Sequence, residues 1–529
     1  MAKWDVIASA RKVLDREQGY VTKDWGGRLP VALAYPNTYH LGMSNLGFQT
    51  VYQLFNAQPQ VVCERLFWSG DTRQPLVTLE SQHDPLDCAV LAVSLSFELD
   101  YPNLLSLLHH AGMPVWSAER DETYPLLLAG GPAVTANPEP LAEICDAFVI
   151  GEAEEVVAPL AELLWELIDA SRGEVLEALA QLPGVYVPGR SVLPVQRLAV
   201  RDLDAHPTHS VILTPDTEFG DMFLIETSRG CAHGCRFCLA GHTYRPFRER
   251  GLQTLLAQAE AGRAYRDKVG LVGAAISDYR EIEGLLAGLK ALGLKLSVSS
   301  LRVKPLPEAL VAALAESGSR TLTLAPEAGC QRLREAVHKG FTEEDILAAV
   351  DLARQYRFPA LKLYFMIGLP GETDEDVAAI ADLVRQAQGR FPGEVSINLT
   401  PFVPKAHTPF QWEAMAAPEV LEARLSWVQE ALRPDRVQVK AEGSAWSLVQ
   451  GVLARGDRRV GRALAAMGGR TSLKAWERAL RGEGIAPSEY LRQRAPDEPL
   501  PWDVVEAGPR LEFLERERQR AAEALRGGG

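Results

Sequence analysis

A chain of 529 residues with 47% apolar and 23% charged positions exceeds one ordinary domain and has the balance of a globular protein with sizeable cores. No apolar run reaches about eighteen residues, so no helical membrane span is expected. The net charge of −14 argues against broad, non-specific binding to nucleic acid. The first twenty residues read as a mixed-charge amphipathic helix and not a secretory signal, which predicts a cytoplasmic location where thiols stay reduced.

In chain order, a lead-in over 1–25 precedes a block of alternating strand and helix signals. Apolar runs fit short buried strands: "PVALAYP" from Pro30, "CAVLAVSLS" from Cys88, "YPLLLAGG" from Tyr124 and "AFVIGE" from Ala147. Helical patterns such as "GFQTVYQLFNA" and "NLLSLLHHAG" separate them. This alternation predicts an α/β domain over 26–170 with a doubly wound parallel sheet, Rossmann-like in order. Turns at 37–47, 130–134 and 151–155 follow strands and so line the sheet's carboxyl edge, where such folds bind ligands. Gly130 and Gly131 mark a close backbone approach there, and His40 is the nearby polar candidate.

A connector over 171–218 leads to a second block over 219–425. Its six strand candidates are "MFLIETS" (222), "VGLVGAAIS" (269), "KLSVSSLRV" (295), "RTLTLAPEA" (320), "ALKLYFMIG" (360) and "EVSINLTPF" (394). Six such units with helices between them predict a partial (β/α)6 barrel, with a second doubly wound sheet as the competing topology. Residues 426–529 turn helical and charged. The basic stretch at 447–466 is expected to cover the site or contact a partner.

Three of the seven cysteines, Cys231, Cys235 and Cys238, fall within eight positions directly after the first strand of the second block. Thiolates on one short loop can converge on a soft metal. A zinc site would want a fourth ligand, for which His233 and His242 are at hand. A ferredoxin-type arrangement wants a fourth cysteine, which is missing; three ligands to a four-iron cluster leave one iron open to a substrate or cofactor. Cys63, Cys88 and Cys145 read as small buried residues, and Cys330 as a core thiol or a group at the barrel mouth.

"CAHGCRFC" resembles the signature of the radical S-adenosylmethionine (SAM) superfamily, C-x3-C-x-aromatic-C, with Phe237 at the aromatic position. The resemblance implies a 4Fe-4S cluster held by the three cysteines, SAM chelated at the open iron, and reductive cleavage to a 5′-deoxyadenosyl radical. It also implies SAM contacts at successive strand ends. Ser277 and Asp278 stand where the family often has a Gly-Gly-Glu stretch. Ser299, Ser300 and Arg302 would reach the ribose and carboxylate, with Glu327 near the cofactor and Ile367, Gly368 and Pro370 beside the adenine. Arg245, Lys405 and His407 are the candidates for facing substrate.

The first block in turn resembles the cobalamin-binding domain found amino-terminal to many such enzymes. Its Asp-x-His-x-x-Gly motif is absent, and His40 lies near that loop at a different spacing. Cobalamin would make methyl transfer to an unactivated carbon the expected reaction. Radical rearrangement or sulfur insertion without cobalamin is the alternative, and a metal-stapled binding or regulatory module a third reading. The implied partners are SAM and an electron donor such as flavodoxin or ferredoxin; nucleic acid stays open as a substrate without being indicated.

Overall fold

The computed structural model describes residues 3–527. The first sheet holds β1 (Leu29–Tyr35), β2 (Val61–Phe67), β3 (Val90–Ser94), β4 (Leu126–Gly130), β5 (Ala147–Val149) and β6 (Val185–Tyr186). Their order is β2-β1-β3-β4-β5-β6, all parallel except the antiparallel β6. Strand order reverses between β1 and β3, which makes that gap the switch point where doubly wound sheets open a crevice.

Both faces of this sheet are covered. On one face Val31, Leu33 and Ala92 pack with Phe48, Tyr52 and Phe55 of the helix Leu46–Asn56 and with Leu160 and Leu164 of the helix Val157–Glu166. On the other, Leu91 and Val93 meet Leu104 and Leu108 of the helix Tyr101–Ala111. That second core also takes Val452, Leu453, Val460, Leu464 and Trp476, from the helices Ser444–Arg455, Arg458–Ala466 and Leu473–Gly482. The basic stretch at 447–466 therefore helps build the first domain's core, with Leu448 packed against the barrel's core as well. An apolar stripe on each helix drives this docking.

β2 was not among the expected strands, because Glu64 and Arg65 interrupt its apolar run. Both are buried. Arg65 pairs with Glu17 at 2.6 Å and Glu80 at 2.7 Å, while Glu64 accepts from Trp25, Thr78 and Ser81. A charged strand interior is tolerable only when every charge is matched in this way.

Past β7 (Val195–Gln196), β8 (Phe223–Glu226) opens the second domain. A short antiparallel pair, β9 (Ser228–Arg229) and β10 (Arg248–Glu249), brackets the cysteine loop. β11 (Lys268–Val272) and β12 (Lys295–Ser297) complete a three-stranded parallel sheet with β8. β13 (Thr321–Glu327), β14 (Ala360–Ile367), β15 (Glu394–Pro401) and β16 (Gln438–Ala441) form a four-stranded one. The Leu301–Leu324 bridge joins the two into one parallel, open barrel wall. All six expected barrel strands are present; β16 follows them, beyond residue 425. Every outward-facing row, such as Leu361, Leu363 and Phe365, is buried under helices. Finally β17 (Val505–Glu506) returns to pair with β7, and the helix Leu511–Gly527 lies along the barrel.

Candidate active site at the cysteine loop and the interdomain cavity

The loop after β8 begins at Gly230, whose φ of +82° and contact with the Tyr244 carbonyl leave no room for a side chain. Cys231 and Cys235 are buried and Cys238 half-buried. Burial, together with the neighbouring thiol of Cys235, pushes Cys238 up to about 11. Among the described residues, no three His, Cys, Asp or Glu side chains gather closely enough to hold a single metal ion.

Several anchors fix this loop. The Arg236 guanidinium donates to the carbonyls of Glu335 and Ala336 and pairs with Glu517 at 3.1 Å. His242 Nε2 donates to the Cys235 carbonyl, 3.1 Å away, and burial lowers the imidazole to about 4, so it is neutral. His233 is engaged by Asp278 at 2.9 Å. Both histidines offered as a fourth metal ligand thus have other partners.

Arg302 reaches the loop from the segment after β12. Its Nη1 lies 3.6 Å from Cys235 Sγ, while Nη2 donates to the Lys339 carbonyl at 2.8 Å. Lys339 in turn pairs with Glu327 at 3.1 Å, and Glu327 sits in the left-handed region at φ +67°. Cys235, Arg302, Lys339 and Glu327 therefore form one connected group. Lys339 was not singled out from the sequence, since a lysine after a helix carries no pattern of its own. Phe237 packs beside Met366, Phe402 and Phe410. Ser277 is buried with its hydroxyl unpartnered, and Ser299 and Ser300 are exposed beyond β12.

Other expected positions lie elsewhere. Ile367 faces the helices, in the barrel's outer core, because the strand's alternation puts Met366 and not Ile367 on the inner side. Gly368 abuts Leu421 and Ala416, and Pro370 lines a groove under the helix Leu511–Gly527. Arg245 lies against the cysteine loop, its Nε donating to the Gly241 carbonyl at 2.8 Å and its guanidinium 5.2 Å from the Phe513 ring. Lys405 is spent on Glu98 at 2.6 Å. His407 is buried against the Ala136 carbonyl and lowered to about 4, so it cannot face a substrate. Cys330 donates to Asp376 at 2.8 Å and packs against the same apolar cluster as Phe237.

A cavity of about 580 Å3 opens between the two domains. Its floor is the switch point of the first sheet, with Asn45, Ser94, Ser96 and Gly130; its far wall is Leu224, Gly270, Val272 and Ser297 of the barrel. From the floor an apolar slot runs between the sheet and two helices, lined by Leu33, Ala92 and Leu128 against Leu46, Val51 and Leu160. Gly131 also borders the cavity, but its φ of +111° answers the Leu95 backbone, 2.6 Å from where a Cβ would lie; its tight approach is to its own chain. His40 is one turn off, exposed and 3.6 Å from Glu218. Sequence reading missed Glu152, which clamps the domains together by pairing with Arg229 at 3.0 Å and Arg248 at 2.7 Å. Arg250 pairs with Glu226 at 2.6 Å, so the basic run after the cysteines is consumed internally.

A doubly wound domain on an open parallel barrel, with three cysteines at the barrel's first strand end, defines a two-domain radical SAM architecture. Comparison with known proteins agrees. Residues 47–188 match the model for radical SAM proteins, N-terminal, and residues 225–384 the radical SAM superfamily. An uncharacterized protein of Methanocaldococcus jannaschii is 31% identical over 441 residues, spanning 82% of this chain and 90% of that protein. An uncharacterized methyltransferase of Pyrococcus horikoshii is 30% identical over 266 residues, 47% of this chain and 55% of the other. Among solved structures, the radical SAM methyltransferase TsrM from Kitasatospora setae, with cobalamin and a [4Fe-4S] cluster bound, aligns with a TM-score of 0.53 at 14% identity, over 86% of this chain and 99% of that one. The cobalamin-dependent radical SAM enzyme OxsB, with aqua-cobalamin and SAM bound, aligns at 0.52 and 12% identity, over 94% and 80%. The chain belongs to the radical SAM enzyme superfamily.

Proposed function

We propose that this protein binds a 4Fe-4S cluster through Cys231, Cys235 and Cys238 and cleaves SAM there, using cobalamin in the interdomain cavity for methyl transfer to a carbon centre. The observation that carries the reading is the donor set: three free thiols on one loop at a barrel strand end, with both nearby histidines otherwise engaged. A bound cluster would supply the electron that breaks the SAM sulfonium, leaving methionine and a 5′-deoxyadenosyl radical.

The chain's own residues set the scene for that step. Arg302 directs a fixed positive charge at Cys235 Sγ and would offset the charge of the cluster's thiolates. The unpartnered Ser277 hydroxyl is a buried polar group lacking a hydrogen bond, which a bound cofactor would supply. The slot between Leu33, Leu128 and Leu160 is apolar, suited to the aromatic tail of a corrinoid, and belongs to the cavity that the barrel residues Leu224 and Gly270 also line. Cobalamin, when held there, would act as the methyl carrier. Among the described residues no imidazole lines the cavity, and no His ligand to cobalt is proposed.

Anaerobically reconstituted protein should show iron-sulfur absorption and release 5′-deoxyadenosine under reductant. Cys235→Ala should lower that release at least a hundredfold; undiminished release would sink the assignment. Purification in the presence of cobalamin should leave a corrinoid spectrum on the protein. Its absence would favour cobalamin-independent radical chemistry.

A further inference from the structure

Barrel interiors are ordinarily filled by layers of branched apolar side chains. Here the inner face of β13–β16 carries two successive rows of polar side chains. Register places Thr323, Lys362, Ser396 and Gln438 in one row across the four strands. Tyr364, Asn398 and Lys440 form the next row. Thr323, Lys362, Tyr364, Ser396 and Asn398 are half-buried and Lys440 is exposed, whereas the alternating outward residues are buried.

Among the described residues neither Lys362 nor Lys440 has a carboxylate partner; the Lys362 ammonium lies 5.2 Å from the Tyr364 ring centroid. That is unusual in a chain of net charge −14. Acids at the ends of these strands are Glu327, already paired with Lys339, Glu394 at the start of β15 and Glu442 just past β16. The lysines stand two strands and one row apart, about 12 Å between their Cα atoms, a gap that two lysine side chains can close from both sides. Neutral donors, Asn398, Thr323 and Tyr364, lie between or beside them.

We propose that this polar ladder docks a small oxyanion-bearing substrate, a phosphate or carboxylate compound, with Lys362 and Lys440 taking the anion and Tyr364 and Asn398 orienting the remainder. The proposal rests on the reading of the barrel as the reaction chamber. Two compact ammonium groups suit separated oxygens of one anion, where an arginine fork would suit a single planar carboxylate.

The test uses the full chain without cofactors, so it is read independently of cluster loading and SAM cleavage. Lysine acetylation is followed by mass spectrometry with pyrophosphate, and separately with citrate, against the exposed Lys12 and Lys474 as internal controls. Protection of Lys362 and Lys440 by fivefold or more, with the controls unchanged, is expected from at least one anion. Pyrophosphate alone would mark a phosphate substrate, citrate alone a carboxylate. Calorimetric affinity for the protecting anion should fall at least tenfold in Lys362→Met/Lys440→Met and be retained in Lys362→Arg. Equal labelling with and without both anions, or undiminished binding by the double Met variant, would overturn the proposal.

Discussion

The first sheet and the barrel wall are built from the same kind of strand, yet they treat their two faces differently. In the first sheet both faces are sealed under helices, and even the charged β2 residues are fully engaged, Arg65 in ion pairs and Glu64 in hydrogen bonds. In the barrel only the outer face is sealed, and the inner face carries half-exposed Thr, Lys, Tyr and Asn. A charge in the first sheet is therefore part of the fold's stability. A charge on the barrel's inner face contributes little to stability and remains available to a ligand.

Substitutions can break or sharpen that contrast. Arg65→Met leaves Glu17 and Glu80 buried without their cation, and should cost about 3–5 kcal/mol in chemical denaturation. A loss below about 1 kcal/mol would mean that the first sheet's charges are not structural after all.

Glu517→Ala comes next. It removes the carboxylate beside Arg236, inside the cysteine loop, and an expected cost of about 1–3 kcal/mol follows from a pair that is largely but not wholly buried. Iron content after reconstitution should drop more than twofold, and Glu517→Asp should restore much of it. Unchanged iron content would show that the carboxy-terminal helix does not hold the loop.

Asp100 gives a pH-dependent test. Burial pushes its carboxyl up to about 6, against about 4 in an unfolded chain. Its favourable contribution is full below about pH 4 and is lost as pH rises through 6. Asp100→Asn should therefore stabilise the protein by about 1–2 kcal/mol at pH 7.5 and not at pH 4. A gain of equal size at both values would point away from the carboxyl's titration. Smallest of all, Lys362→Met should change stability by no more than about 0.5 kcal/mol. A larger loss would make that lysine a structural residue like Arg65.

Legibility in the sequence followed the same division. Strands that bury both faces, such as β3 and β4, show continuous apolar runs and were readable directly. β2 escaped because its interior charges are matched by Glu17 and Glu80, and no local pattern announces partners so distant in sequence. β16 escaped because four residues, "QVKA", give too little alternation to count. The three cysteines were conspicuous by spacing. Which strand-end side chain points inward was harder: Ile367 and Met366 differ by one residue, and a one-residue shift flips the face. Likewise Lys405 and His407 follow a barrel strand, but Glu98 and the Ala136 carbonyl of the first domain claim them.

The return of the chain to its beginning has a consequence for synthesis. Residues 444–482 supply one face of the first sheet's core, and β17 pairs with β7 about three hundred positions upstream. The nascent first domain leaves the ribosome with its helix Tyr101–Ala111 on the sheet but without the outer helices of residues 444–482, and stays so while the entire barrel is being made. A product ending at residue 442 would uncover the apolar residues around Pro140 and Ile144 on which the helix Arg458–Ala466 packs, a surface prone to self-association. What looks along the sequence like two domains and a tail is, in the order of folding, a barrel that can close first and an amino-terminal domain that must wait for the last helices.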